Sequence, residues 1–332
     1  MTGADLSTTY LGLPLSSPIV ASASPLTGEV ESARRIADAG AAAVVMPSLF
    51  EEEIRREEVE LNLALEAGAE HFAEALDYFP DVREIATAAD RYLATLADLK
   101  AALDVPVIAS LNATSTGGWV RYAAQLADAG ADAVELNLYH VAADPERSST
   151  DVEDEKLGVV AAVRDRIDVP LAVKLSPYFS STAHFARRLV HAGADGLVLF
   201  NRFYQPDINI HTRRVTTHAE LSDSSELLLR LRWAAILHRR IKASIAVSGG
   251  VALPADGIKA LLAGADAVQV VSALLRHGPA YIAAMRRGLE DWLERQQLDS
   301  LSEVKGSLSL QSSRDPGAYE RAHYIKVLHN PV

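Results

Sequence analysis

Four times along the chain an amphipathic helical pattern ends in Ala-Gly-Ala and gives way to a short apolar run: AGAAAVVMP (39–47), AGADAVELN (129–137), AGADGLVLF (192–200) and AGADAVQVV (263–271). Gly40, Gly130, Gly193 and Gly264 are placed to end those helices in the left-handed conformation that glycine adopts without penalty. The runs that follow are short and rich in Val and Leu, as a parallel strand covered on both faces requires. A second set of apolar runs lies upstream of each: SPIVASA (17–23), VPVIASLN (105–112), VPLAVKLS (169–176) and ASIAVSG (243–249). Within each pair the starts are about 25 residues apart, close to one βα unit. Four pairs predict eight parallel strands with helices between them. A TIM (β/α)8 barrel suits that even repeat, and an open doubly wound sheet is the alternative. No G-x-G-x-x-G follows the first run, which favours the barrel.

Two connections are too long for plain βα loops: 48–104 after strand 2 and 201–243 after strand 6. The polar stretch 140–155 after strand 4 reads as a mobile loop. The acidic run Glu51–Glu53 reads as a solvated helix start rather than a metal site, because negative charge is favourable there. After strand 8 one helix is expected to about residue 297. The division is therefore a barrel over 1–297 and a C-terminal extension over 298–332, packed on the barrel or at an interface.

Of the 332 residues, 49% are hydrophobic and 23% charged, an ordinary globular composition. The net charge of −12 argues against a nucleic-acid or anionic-membrane surface. Cysteine is absent, which excludes disulfides, thiolate metal sites, an iron–sulfur relay and a thiol nucleophile. The first residues carry no signal-peptide pattern and no run is long enough to span a membrane. The expectation is a cytoplasmic protein.

Candidate chemistry gathers at the C-terminal ends of the strands, where barrel active sites are built. Ser248-Gly249-Gly250 closes strand 7, and Val271-Ser272 closes strand 8 before a helix pattern. Backbone N–H groups beside such glycines and a helix N-terminus can hold a phosphate, with Ser272 both capping and donating; the plainer alternative is a turn pair and an ordinary cap. Lys174 lies inside the apolar LAVKLS, where an ammonium needs a partner or a ligand; it faces either an anionic ring in the mouth or a neighbouring carboxylate. Asn112, Asn137 and Asn201 end strands 3, 4 and 6, and three amides on one rim suit a heteroaromatic ligand with alternating donors and acceptors.

AVKLSPYFSSTAHFARRL (172–189), ELNL (135–138) and SGGVALPADGIKALLAGADAVQVVSALLRHGP (248–279) resemble the class 1 dihydroorotate dehydrogenases, specifically the subgroup called dihydroorotate dehydrogenase-like proteins. LGLPLSSPIVASASPLTG (11–28) is similar to that family's opening strand and flavin-contacting loop. The resemblance implies an FMN barrel of pyrimidine biosynthesis. It places Ala23 and Ser24 against the flavin ring, Lys174 at the ring's pyrimidine edge, Asn137 on ring or substrate, Asn201 on substrate, and Gly249, Gly250, Val271 and Ser272 on the phosphate. Asn112 and Ser248 join the cofactor set from their positions on the same rim. The family's members are commonly homodimers. Its membrane-bound members carry an N-terminal helical extension, for which the residues before the first strand leave no room.

Departures from the family bear on substrate. Where it has Ser-Cys-Pro-Asn, with the Cys as base, this chain has Tyr139-His140-Val141-Ala142. The family's first-loop lysine falls near Met46-Pro47, and its orotate-gripping loop falls on Ala75–Asp81, where Pro80 alone matches. A second glycine-rich phosphate segment is missing from 215–232. His140 is a replacement base, its imidazole titrating near neutrality, unless it is an ordinary loop residue; Tyr139 is the second candidate. The expected reaction oxidises dihydroorotate or a related C–C single bond, by proton removal and hydride transfer to FMN. Without an iron–sulfur relay, the electrons leave through a diffusible acceptor or a protein partner. The alternatives are a flavin-binding or partner-binding barrel with little chemistry, a tRNA-modifying flavin barrel, which the net charge disfavours, and a phosphate-binding barrel without flavin.

Overall fold

The computed structural model describes residues 4–57, 59–60, 63, 87–113, 115–202, 205–217 and 220–320. The eight expected strands are present: β1 (Ile19–Ala21), β2 (Ala43–Phe50), β3 (Val107–Asn112), β4 (Ala133–Asn137), β5 (Leu171–Leu175), β6 (Gly196–Leu199), β7 (Ser244–Ser248) and β8 (Ala267–Val270). They pair in sequence order, all parallel, and β8 closes on β1. This is the TIM barrel, and the open sheet is excluded by that last pairing. The Ala-Gly-Ala glycines work as expected: Gly40, Gly130, Gly193 and Gly264 have φ of 104°, 93°, 109° and 113°. Each lets the chain leave its helix and turn directly into the next strand.

The helices are α1 (Val30–Asp38), α2 (Ala88–Ala102), α3 (Thr116–Asp128), α4 (Ser149–Arg164), α5 (Thr182–His191), α6 (Leu227–Leu237), α7 (Pro254–Ala263), α8 (Ser272–His277) and α9 (Tyr281–Arg295). Residues 51–57 are also helical. A large apolar core joins the outer faces of the strands to the helices. A smaller core fills the barrel's lower interior. There the wall is lined by small side chains, Ala133, Ala172, Ala246 and Ala267, and the space they leave is taken by Tyr10, Leu11 and Leu15. These come from a hairpin (Thr8–Tyr10 paired with Leu13–Leu15) that stops the N-terminal end of the barrel. Tyr10 is fully buried, and burying a side chain of this size contributes about 2 to 3 kcal/mol.

Three expectations are corrected. The stretch 140–155 is not one loop: Ser148 caps α4, its hydroxyl accepting from the Asp151 N–H while Asp151 accepts from the Ser148 N–H, so the irregular part ends at 148. The run Glu51–Glu53 does begin a helix, but Glu51 is buried, accepting from the Ser115 N–H at 2.9 Å and pairing with Arg55 at 2.6 Å; Glu52 and Glu53 are exposed. The single helix after strand 8 is two, because Gly278 (φ 79°) and Pro279 break it. The expected substrate loop Ala75–Asp81 lies outside the described residues. After β6 an exposed hairpin of Pro206–Asn209 and Arg214–Thr217 precedes α6.

The start of the C-terminal extension closes the bottom. Gly306 and Leu308 donate to Leu261 and Leu262 of α7, and Leu310 donates to Ala235 of α6. His238 is wedged where this segment meets the barrel, its Nδ1 at 3.0 Å from the Gly264 carbonyl oxygen, while its Nε2 has no partner among the described residues. A Cβ on Gly264 or Gly306 would overlap the ring. Burial holds the imidazole below its ordinary value of 6.5. The unfolded chain therefore takes up the proton first. This contribution to stability is complete above about pH 6.5 and is lost as pH falls through the lower folded value. Thermal melts from about pH 7.5 down to about pH 5 should show a falling Tm, and His238→Gln should flatten that slope.

Candidate active site

The C-terminal ends of the strands enclose a cavity of about 620 Å³, within the usual range for a cofactor site. Each strand end delivers a named group. Ser22, Ala23 and Ser24 follow β1, and Pro47 and Ser48 belong to β2; Asn112 and Asn137 end β3 and β4, and Lys174 stands one residue before the end of β5; Phe200 and Asn201 follow β6; Ser248 ends β7 and Gly249 follows it; and Val271 and Ser272 follow β8. The structure thus brings together Ala23, Ser24, Asn112, Asn137, Lys174, Asn201, Ser248, Gly249, Val271 and Ser272. Two sequence candidates stand outside the cavity: Gly250, and His140.

Lys174 is held by a polar cluster on the barrel axis. Its Nζ donates to Glu135 Oε1 at 3.3 Å and to Gln269 Oε1 at 3.4 Å. Gln269 Nε2 donates to Glu135 Oε2 at 2.8 Å, and the Ser22 hydroxyl donates to Gln269 Oε1 at 3.0 Å. All four side chains are buried. The carboxylate reading of Lys174 is the one observed: Glu135 partners it from below, and the side chain also lines the cavity, where a third N–H remains. Beneath the cluster the Tyr10 hydroxyl is buried beside Glu135 and Gln269. Burial, then the charge of Glu135, pushes its phenol well above the ordinary value, so it stays protonated. Glu135 and Gln269 were missed in the sequence, although a glutamate in AVELN and a glutamine in AVQV are polar residues in strands buried on both faces. Pairing places Asn137 directly beside Lys174, and Asn201 Nδ2 donates to the Lys174 carbonyl at 3.4 Å.

At the other side of the cavity the Ser248-Gly249-Gly250 turn runs through φ of 84° and 80° at its glycines. Gly249 lies over the Arg230 guanidinium, whose Nε donates to the Ser248 carbonyl at 2.9 Å. Gly250 faces α6 instead: a Cβ there would stand 2.5 Å from the Leu227 nitrogen, and its N–H donates to the Ser222 hydroxyl at 3.3 Å. Ser272 is not a cap. Its hydroxyl accepts from the Ser222 N–H at 3.1 Å and lies 2.8 Å from the Ser222 hydroxyl, while Val271 occupies the N-cap position of the six-residue α8. Arg276 fixes the Leu221–Ser222 backbone by donating to both carbonyls. Ser222, which no sequence pattern singles out, therefore takes a place in the stretch where the second glycine segment is missing.

The cavity's own polar groups leave hydrogen-bonding capacity that suits a flavin. The oxygens Ser24 Oγ and Asn137 Oδ1 are buried with no hydrogen-bond partner among the described residues, and both residues line the cavity. The backbone N–H groups of Gly249 and Ser272 donate to no described residue. A planar ring with alternating donors and acceptors satisfies the first pair, and a terminal anion the second. Arg230, paired with Glu226, and Arg276 stand behind this part of the cavity wall, holding the Ser248 and Leu221–Ser222 carbonyls.

The β4–α4 loop divides its two candidate bases. Tyr139 lines this cavity, and His140 lines a neighbouring one with Arg147, Lys156 and Tyr178. Burial, then the Lys156 charge, holds the His140 imidazole below its ordinary value of 6.5.

Two variants test this construction. Glu135→Gln strands the Lys174 ammonium, and urea unfolding should report a loss of about 3 kcal/mol, partly recovered when Lys174→Met is added. Gly250→Ala combines a strained φ with a clash on α6 and should cost about 2 kcal/mol or more by the same measurement.

A family model described as dihydroorotate dehydrogenase matches residues 82–293. The "Dihydroorotate dehydrogenase B (NAD(+)), catalytic subunit" of Methanothermobacter thermautotrophicus is 31% identical over 209 residues, covering 61% of this chain and 69% of that protein. The protein of the same name from Thermoplasma volcanium is 25% identical over 320 residues, covering 91% of this chain and 98% of its own. The chain belongs to the dihydroorotate dehydrogenase family, flavin-dependent oxidoreductases that act on CH–CH bonds.

Proposed function

We propose that the chain is an FMN oxidoreductase that takes a proton and a hydride from adjacent carbons of dihydroorotate or a related carboxylated ring. The observation that carries this reading is the buried Lys174 at the floor of a cavity whose far wall offers free backbone N–H groups beside Gly249 and Ser272. When bound, FMN supplies the hydride acceptor. Lys174, fixed by Glu135 and Gln269, compensates negative charge at the ring's pyrimidine edge. Ala23, Ser24, Asn112 and Asn137 orient the ring; Gly249, Val271, Ser272 and the adjoining Ser248–Gly250 backbone hold the phosphate. Asn137 and Asn201 address the substrate.

With no cysteine in the chain, the proton falls to the β4–α4 loop. His140, which stands on that loop, is the proposed base: an imidazole is largely neutral, and able to accept, at pH 7 even at its ordinary value, and burial lowers that value further. Tyr139, which lines the cavity, presents a phenol suited to donating a hydrogen bond. Electrons then pass to a diffusible acceptor or a protein; the relatives named as catalytic subunits favour a protein. A homodimer in the cytoplasm is the assembly and location in keeping with the family. The second reading, a flavin-binding barrel with little chemistry of its own, is favoured by one observation: His140 lines the neighbouring cavity rather than the one that holds Lys174.

The test is an absorbance spectrum followed by anaerobic titration with dihydroorotate. Bound FMN that bleaches supports the oxidoreductase. A yellow protein that no member of a carboxylated-ring panel bleaches supports the second reading, and a colourless protein that refuses FMN overturns both. His140→Ala should slow bleaching about 100-fold or more while leaving the flavin spectrum intact. The reduction rate should rise with pH through a midpoint below the ordinary imidazole value of 6.5 and stay level above it.

A further inference from the structure

Beside the flavin cavity, across the β4–α4 loop, lies a second one of about 690 Å³. The two share no lining residue but draw on neighbouring positions: Tyr139 lines one and the adjacent His140 the other, and Lys174 of β5 lines the first while Ser176, two positions on, lines the second. The second cavity has an apolar wall from Val152, Tyr178 and Phe179, with hydroxyls from Ser149 and Ser176.

The charged groups around it are unevenly paired. Arg147 is bonded to Glu155 at 2.5 Å, and Arg188 is shared between Glu153, at 3.4 Å, and Asp154. Lys156, on α4 between these groups, is half-buried and makes no ion pair or hydrogen bond with any described residue. The carboxylate whose charge reaches it, Glu155, is already engaged by Arg147. Burial accordingly pushes the Lys156 ammonium below its ordinary value. An ammonium half withdrawn from water without a counter-ion is costly, and the cost is removed by an anion that completes the pair.

The geometry points to a second ligand site in this cavity, where Lys156 receives the carboxylate of a small organic monoanion whose apolar body lies against Val152, Tyr178 and Phe179. One cation without a direct partner among the described residues calls for one carboxylate, and the apolar wall calls for more than a bare oxyanion. The ligand is a carboxylate whether it arrives as a separate molecule or as an arm of the substrate. The site's existence does not depend on flavin in the neighbouring cavity.

The purified protein, with whatever flavin it carries, is titrated by calorimetry with benzoate, benzamide and inorganic phosphate. Benzoate should bind at least about tenfold more tightly than its uncharged isostere benzamide and than phosphate, and Lys156→Met should remove about tenfold of the benzoate affinity. Lys156→Arg should retain it within a few-fold. A structural readout keeps the test decisive: without ligand Lys156→Met should leave Tm unchanged or raised, since an unpaired charge is removed, and benzoate should raise the Tm of the parent but not of this variant. Benzoate and benzamide binding alike, phosphate matching benzoate, or benzoate binding undiminished in Lys156→Met would overturn the site. Flavin absorbance, read in the same samples, reports separately on the flavin site, so failure of one does not imitate failure of the other.

Discussion

A single ammonium group at the axis of the barrel organises the upper half of the molecule. Lys174 rises from a strand buried on both faces, so its charge must be answered within the protein. Glu135 answers it from the adjacent strand, and Gln269 bridges the two from the opposite wall, with Ser22 completing the amide. Three strands that are distant in sequence are thereby tied at one level, and the cavity floor has a fixed positive point. Every group assigned to the flavin ring is arranged around that point. Removing the carboxylate would leave an isolated buried charge, which costs more than the pair contributes.

The phosphate side follows a different logic, that of close approach rather than charge pairing. The Ser248–Gly250 turn is pressed between Arg230 below and the first residues of α6 behind. Ser222 and Ser272 join hydroxyls across the gap, and Arg276 pins the Ser222 backbone. The result is a small polar corner in which part of the hydrogen-bonding capacity is spent internally, and the N–H groups at Gly249 and Ser272 are left over. A loop without glycines, reinforced by serine and arginine, thus occupies the stretch where the family has a second glycine-rich segment.

How much of this was legible in the sequence depended on repetition. Ala-Gly-Ala recurs because each helix must stop and turn into a buried strand in the same way, so the barrel could be read from four copies of one phrase. Lys174, the rim asparagines and the Ser-Gly-Gly turn were visible because each breaks an apolar run at its end. Glu135 and Gln269 break such runs in the middle, where period-based reading sees only a strand. Ser222 and Glu51 owe their burial to partners 50 and 64 positions away, Ser272 and Ser115, which no local pattern encodes. His140 was singled out by its chemistry, but it lines the neighbouring cavity, and the loop that carries it is shorter than its polarity suggested because Ser148 starts the helix early.

The hairpin that stops the lower end has a kinetic consequence for the proposed chemistry. With Tyr10 and its neighbours filling the lower interior, the flavin well is blind, and everything that meets the ring must use the upper doorway. A diffusible reoxidant would then share the substrate's entrance and wait for the product to leave, whereas a protein acceptor, drawing electrons across the wall, would be free of that order.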